Sequence, residues 1–455
     1  MATPYNDYIY FTRLEIENVK SFGERQFLDL TTDGQKPARW TLLLGENGVG
    51  KTTVLQCLAR MRPDFENRPN TGPEEEEWGP EIAAEDDNAY FDDLMRNGPE
   101  VVTRLEAHMV AGFKIDGTGG RPNVIRCEAI AERRGGKFYA FDSKGTRRKL
   151  CPQPVVFAYG AGRHVKLVKS EAEMPGPVES LFDAGVELVD AEAILQRLDY
   201  LVAKSRDRGP RRRLRSLTNM LAAILPDVDR PEDISINPPL TAGLGTGPAG
   251  VQVRTPYGEV ALHQLSLGYQ TVTAWTIDIA WRLFNQYPHS PHPMKEPAVV
   301  IVDEIDLHLH PQWQRHIREH LTDHFPNVQF IATAHSPLIA QDCLEENLAL
   351  LRLDESEHQV EIVNEPAVVH SWRLDQVITS ELYGFNSARN DLTNEFIERR
   401  LELLRKQELD ETEQRELEQL EVRVASLGPG WTEDDEVARR VVERTTEILR
   451  QRRRI

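Results

Sequence analysis

The chain has 455 residues, room for about three domains at the usual ~150 residues each, and its 40% apolar and 28% charged residues are those of an ordinary globular protein. A formal net charge of −19, from 54 basic and 73 acidic side chains, excludes indiscriminate coating of nucleic acid by the whole surface but allows a local basic patch. No apolar run reaches the ~18 residues of a membrane span and the start MATPYNDYIYF lacks a basic-then-apolar leader, so a cytoplasmic protein without a membrane partner is expected.

In chain order, residues 8–30 alternate as two strands joined by a turn at Ser21–Gly23. Residues 40–44 are a short apolar strand running into a glycine-rich loop, and a helix follows over 51–60. Between 63 and 100 the composition turns to Pro, Asn and acid, including Glu74–Glu77, which reads as an exposed insertion. Residues 101–115, 124–133 and 137–142 form an antiparallel set, and 155–159 a buried strand. A helical lobe over 175–225 carries the basic run from Lys204 to Arg215. After a Pro/Gly-rich loop, two strands flank the turn 256–258; then a helix, the apolar strand 298–302, another helix and the strand 328–333 alternate, which predicts a largely parallel, helix-covered sheet. Residues 394–407 and 411–427 make a helical hairpin, opened by Asp410 with Glu413 three residues on and stopped at Gly428–Pro429; Leu417, Leu420, Val424 and Leu427 space a packing seam.

The segment GENGVGKT, Gly45 to Thr52, satisfies the P-loop pattern in full, between an apolar strand and a helix. In such a loop the backbone N–H groups of Gly45, Glu46, Asn47, Gly48, Val49 and Gly50 close around phosphate oxygens, with Thr53 just inside the helix. Lys51 reaches the β- and γ-phosphates of ATP, and the Thr52 hydroxyl takes Mg²⁺. The run AVVIVDE is a buried strand ending in two acids, the Walker B arrangement: Asp303 serves the Mg²⁺ and Glu304 polarises the attacking water. LSLGYQ, with Ser266 and Gly268, opens a helix, and the strand FIAT runs into AHSP, which carries His335.

P-loop, LSLGYQ, DE and histidine, in that order, resemble the ATP-binding-cassette (ABC) P-loop ATPases. The resemblance implies an α/β ABC-ATPase head with an antiparallel β subdomain, a helical insertion and a C-terminal helical hairpin. It further implies that Ser266 and Gly268 cap the γ-phosphate of ATP held by another subunit, and that His335 is the γ-phosphate switch. DEIDLHLHP, TAHSP and the opening IENVKSFG are similar to the compact RecF-like and OLD-like group, which suggests that Lys20 and Ser21 lie near the nucleotide. Two departures stand out: Leu267 replaces a glycine of the commonest signature form, and no glutamine follows the strand 155–159, where YGAGR takes its place with Arg163 as a nucleotide contact. The expected division is residues 1–163 and 246–365 for the two parts of the head, 164–245 for the helical insertion and 366–455 for a C-terminal region of partner or oligomer contacts.

The stretch SWRLDQVITSELYGF and the hairpin after it resemble the tail of Septu-type anti-phage ATPases, which also accompany some retrons and work with a separate HNH nuclease. The implied assembly is a homo-oligomer, a dimer or a multiple of dimers, closing around ATP. The alternatives are a RecF-like DNA-repair ATPase, with nucleic acid held by Lys204–Arg215, and a nucleotide-gated scaffold with little turnover. His316, Glu319 and His320 match the H-x-x-E-H pattern of zinc peptidases, but His324 continues the same i, i+4 spacing and a polar helix face accounts for it. The four cysteines (Cys57, Cys127, Cys151, Cys343) have no paired metal-ligand spacing.

Overall fold

A computed structural model describes residues 8–425 except 33, 65–78, 81–91, 99, 114, 116–118, 135–136, 146–153, 163, 166–174, 226–227, 229, 238–249, 344–345, 355, 365, 367–371, 384–390 and 407–408. The acidic run Glu74–Glu77, Cys151, Arg163, Leu427 and the Gly428–Pro429 stop therefore lie outside the described residues.

Strand β1 (Ile9–Glu17) pairs antiparallel with β2 (Gln26–Asp29), Leu14 facing Leu28. The chain reverses between them through left-handed residues, with φ of 55° at Asn18 and 42° at Lys20, and the Asn18 N–H donates to the Gly23 carbonyl at 2.8 Å. β3 (Trp40–Gly45) leads to helix α1 (Lys51–Arg60). β4 (Glu100–Phe113), β5 (Gly119–Arg134) and β6 (Lys137–Gly145) then complete a five-stranded antiparallel sheet in the order β6-β5-β4-β1-β2.

β7 (Val156–Tyr159) is followed by the helical lobe, α2 (Ala191–Lys204) and α3 (Arg208–Ile224). Asp190 and Asp207 cap the two helices, each accepting backbone N–H bonds from the first turn. β8 (Ile234–Asn237), β9 (Gly250–Thr255) and β10 (Gly258–Ala261) form a small antiparallel sheet. Helix α4 (Leu267–Gln286), strand β11 (Ala298–Val302), short helices α5 (Pro311–Gln314) and α6 (Ile317–His324), and strand β12 (Val328–Thr333) come next. Helix α7 (Pro337–Asp342), the hairpin β13 (Asn347–Asp354) and β14 (Gln359–Asn364), and α8 (Leu374–Ile378) end this unit.

The central sheet has the order β7-β11-β12-β3-β13-β14, parallel throughout except for the β13–β14 pair. β7, β11, β12 and β3 are buried on both faces, as strands covered on both sides require. Trp40, Leu42, Phe157, Val300 and Phe330 point into a core shared with α2, α3 and α4. Their neighbours Leu43, Val156, Val299, Ile301 and Ile331 point into a second core shared with α1 and the antiparallel sheet. The period-2 alternation of one set of strands thus builds two cores. Among the described residues no helix is long and apolar enough to cross a membrane.

A second compact unit covers residues 386–455. Its described part is the hairpin α9 (Asp391–Arg405) and α10 (Glu411–Ala425). The expected capping box is present: the Asp410 carboxylate accepts from the Glu413 N–H at 2.7 Å, and Glu413 accepts from the Asp410 N–H at 3.2 Å. Arg399 clasps both oxygens of Glu416 at 2.9 and 3.0 Å, pinning the helices side by side.

One buried polar side chain joins β1 to the central sheet. Gln329, with no exposed surface, accepts the Phe11 N–H at 2.9 Å and donates to the carbonyls of Phe11 and Ala38 at 2.8 and 3.2 Å. Gln329→Leu keeps the volume and strands three backbone groups, which should cost about 3 kcal/mol. The expected outcome is a lower midpoint for the first thermal transition followed by circular dichroism; an unchanged midpoint would remove Gln329 as the tie.

Candidate functional site

The carboxyl ends of the parallel strands gather the motifs along one edge of the central sheet, where α/β sheets bind ligands. At the end of β3, the Leu351 carbonyl comes so near that a Cβ on Gly45 would lie 2.3 Å from it, so only glycine fits. Gly45, Gly48 and Gly50 have φ of 142°, 83° and 92°, values that glycine adopts at little cost. The loop is thereby turned with Glu46, Asn47 and Gly48 exposed while Val49 and Thr53 are buried beneath it. α1 starts directly at Lys51 with no acid in its first turn, a helix N-terminus kept available for an anion.

Lys51 is buried, and its ammonium donates to the carbonyls of Gly45 and Glu46 at 2.8 and 2.7 Å. Burial lowers its pKa from the usual lysine value, against the raising pull of Asp303, Glu304, Asp306 and Glu46. The cation thus lies among four carboxylates, with its head folded back on the loop that a phosphate would occupy.

Asp303 is the centre of the site. One carboxylate oxygen accepts the Thr52 hydroxyl at 2.7 Å and the other accepts the Thr333 hydroxyl at 2.6 Å. Its own N–H donates to the Tyr159 carbonyl at 2.8 Å. Because Thr52 gives its proton to Asp303, the lone pairs of its oxygen remain for a hard cation, and the donor set of one hydroxyl and one carboxylate suits Mg²⁺.

The next residue, Glu304, has a left-handed φ of 48°, rare outside glycine, held by its N–H donating to Thr333 Oγ1 at 2.7 Å. This kink ends β11 and turns Glu304 away from the strand direction. His335 follows β12, and its N–H donates to the Asp306 carboxylate at 3.0 Å. Hydrogen bonds thus join Thr52, Asp303, Thr333 and the Glu304 backbone, with Lys51 in the field of Asp303, Glu304 and Asp306 and the His335 N–H on Asp306.

Thr333 and Asp306 were not singled out from the sequence. Both stand inside motifs that were, FIAT and DEID, so proximity to Asp303 and His335 was the available signal.

Ser266 and Leu267 are exposed, Leu267 at 59%, and Ser266 is the N-cap of the 20-residue α4 without a side-chain cap bond. A Cβ on Gly268 would lie 2.3 Å from the His308 carbonyl, so glycine at this position lets α4 start against the loop after Glu304. Ser21 packs on the P-loop, its hydroxyl 3.0 Å from where a Gly50 Cβ would be, whereas Lys20 pairs with Asp93 at 2.9 Å.

The basic run is not one segment: Lys204 ends α2, and Arg208, Arg211, Arg212, Arg213 and Arg215 belong to α3. Arg213 donates to the Pro288 carbonyl at 2.9 Å and lies over the Phe284 ring. Arg212, Arg213, Arg215, His289, His292 and Lys295 line a groove of about 710 Å³.

A family profile described as "AAA domain, putative AbiEii toxin, Type IV TA system" matches residues 252–341, and one described as "AAA domain" matches residues 13–61. The chain is 24% identical over 423 residues to the Septu protein PtuA of Bacillus mycoides, covering 92% of this chain and 50% of that protein. It is 45% identical over 89 residues to the Retron Ec83 probable ATPase of Escherichia coli, which is 20% of this chain and 16% of the relative. The SMC head domain from Thermotoga maritima aligns with 79% of this chain and 100% of its own at 14% identity and a TM-score of 0.38. The matched profiles are thus AAA domains, and the chain spans about half the length of the Septu relative.

The H-x-x-E-H pattern does not assemble a metal site. His316 sits at the N-cap, before α6, and is exposed, while His320 is buried against Trp313 and His324, with ring centroids 6.0 and 4.4 Å away. Among the described residues the one convergent trio of metal-type ligands is Glu15, Glu106 and His108, where Arg25 pairs with both glutamates.

Burial, helped by His324, pushes His320 from 6.5 down to about 3. The unfolded chain then takes up a proton below pH ~6.5 that the folded chain refuses until near its own pKa, so this group's contribution is complete above 6.5 and is lost on acidification. His320→Leu should therefore flatten the fall in stability between pH 7 and 5 by about 2 kcal/mol. Denaturant melts at the two pH values measure it; equal slopes in both proteins would contradict the assignment.

Proposed function

We propose that this chain is an ATP-binding and hydrolysing ATPase of the ABC type that dimerises around ATP and regulates a separate nuclease in anti-phage defence. The observation that carries the reading is the Asp303 carboxylate, bonded at once to the P-loop residue Thr52 and to Thr333 of β12, with buried Lys51 beside it. In this reading the loop from Gly45 to Gly50 and the N-terminus of α1 hold the phosphates, and Lys51 exchanges its two carbonyl partners for phosphate oxygens. Thr52 and Asp303 hold Mg²⁺, which when bound neutralises charge on the phosphates. Glu304 orients and polarises the attacking water, and His335, anchored through Asp306, reads the γ-phosphate.

The exposed, uncapped start of α4 supports closure by a second copy, since a free helix N-terminus at Ser266 and Gly268 suits the γ-phosphate of ATP held opposite. Hydrolysis would then reopen the pair, a two-state change suited to restraining or releasing an HNH-type nuclease. The similarity to Septu PtuA and to a retron ATPase supports that partner class.

A second reading, a RecF-like ATPase that binds DNA directly, is favoured by one observation. The five arginines of α3 form no ion pair with a described carboxylate, and three of them line the 710 Å³ groove on a chain of net charge −19. Such a cluster suits nucleic-acid phosphates, and its binding would weaken with salt.

Glu304→Gln should slow ATP hydrolysis by about 10²-fold or more while ATP binding persists, and Lys51→Ala should weaken binding itself. Turnover and fluorescent-nucleotide titration separate the two effects. Mass photometry and mass spectrometry of tagged Glu304→Gln, purified from its host with ATP and Mg²⁺, should show a dimer or its multiples with a stoichiometric nuclease. A homodimer carrying only DNA, lost on neutralising Arg211, Arg212 and Arg213, would replace this reading with the second.

A further inference from the structure

Where ABC-type ATPases place a glutamine, this sequence has Tyr159-Gly160-Ala161-Gly162, and no glutamine appears before Gln196 inside α2. The glycine after Tyr159 is forced by packing: a Cβ on Gly160 would lie 2.2 Å from the Ser180 carbonyl. β7 is the edge strand of the central sheet, and the segment 175–184 covers it, with the Ala158 N–H donating to the Pro177 carbonyl at 2.8 Å.

Tyr159 faces two ways. Its backbone carbonyl accepts the Asp303 N–H at 2.8 Å, so it seats the acid at the centre of the site. Its hydroxyl donates at 2.6 Å to Asp278 Oδ2, in the middle of α4. Arg282, one turn further along α4, donates through Nε to the same oxygen at 2.6 Å and through Nη1 to the Pro175 carbonyl at 3.2 Å. Trp275 packs on the Tyr159 ring at a centroid distance of 6.2 Å. The three polar side chains are 1%, 0% and 8% exposed.

A buried ion pair is a poor way to gain stability, because desolvation takes back most of the attraction. Its geometry is what it fixes. Asp278 Oδ1 is buried without a hydrogen-bond partner, so the carboxylate depends on the two donors at Oδ2. A slide of α4 along its axis would carry Asp278 away from the Tyr159 hydroxyl and Arg282 away from the Pro175 carbonyl together, and α4 begins at the exposed Ser266–Gly268 end.

We propose that Tyr159, Asp278 and Arg282 are positioning residues for ATP hydrolysis, holding the start of α4 in register with the strand end that seats Asp303. The network takes the coupling place that the missing glutamine leaves. This inference rests on the ATPase reading above.

The test uses the full chain. Tyr159→Phe removes one hydroxyl and leaves the ion pair; Asp278→Asn with Arg282→Gln removes both charges together and avoids a lone buried charge. The expected result is a fall in kcat of about fivefold or more for each variant, with the Kd for ATP kept within about twofold. Thermal midpoints near that of the wild type are expected for both. A lowered midpoint with kcat and KM unchanged would make the network a packing feature only and overturn the proposal. A raised KM at constant kcat would also overturn it, since the effect would then lie in nucleotide binding. A wild-type chain that neither binds nor hydrolyses ATP would remove the ATPase reading itself, and the wild-type arm reveals that failure separately.

Discussion

The structure turns on one carboxylate. Asp303 takes a hydroxyl on each oxygen, Thr52 from the helix after β3 and Thr333 from the end of β12, while its N–H hangs on the carbonyl of Tyr159 in β7. Three bonds from one residue thus reach the ends of three other segments of the chain. They can form together only if β7, β11, β12 and β3 are in their observed register, with Tyr159 opposite Val302, Val302 opposite Ala332 and Thr333 opposite Leu43. A slip of one residue in any pairing would take a hydroxyl or a carbonyl to the other face of the sheet.

That register is set by apolar packing far more than by the polar bonds it permits. Alternate residues of the parallel strands feed two cores, one beneath α2, α3 and α4 and one beneath α1 and the antiparallel sheet. Burying both faces fixes the order and direction of the strands and leaves their carboxyl ends as the edge where polar groups can gather. The two faces also differ in what they hold. The α1 face carries the P-loop lysine, and the α4 face carries the exposed Ser266–Gly268 start. Tyr159 and Asp303 stand where the two meet.

Local chemistry was legible and long-range partnership was not. GENGVGKT could be read because its glycines act through their own backbone and its lysine and threonine stand at fixed offsets from them, and DE could be read because an apolar run must end where two acids begin. The capping box at Asp410 and Glu413 formed as its spacing implied. By contrast, Thr333 meets Asp303 across 30 residues and Tyr159 meets Asp278 across 119, and no spacing rule links either pair. Local patterns also fell short where the chain breaks. The polar helix face expected of His316, Glu319 and His320 presumes one continuous helix, but α5 and α6 are separate, His316 caps the second and His320 is buried; the basic run is divided by Asp207, which caps a new helix within it.

The sequence by itself determined the α/β class, the P-loop, the paired acids and the order of the motifs, because each depends on neighbours a few residues away. The tertiary structure alone decided that Thr333 completes the Asp303 clamp, that Lys20 turns to Asp93, and that Tyr159 and Asp278 join across the buried sheet edge. The physical reason is that hydrogen bonds between distant segments become possible only after hydrophobic burial has brought those segments to one edge, and many different sequences satisfy the burial.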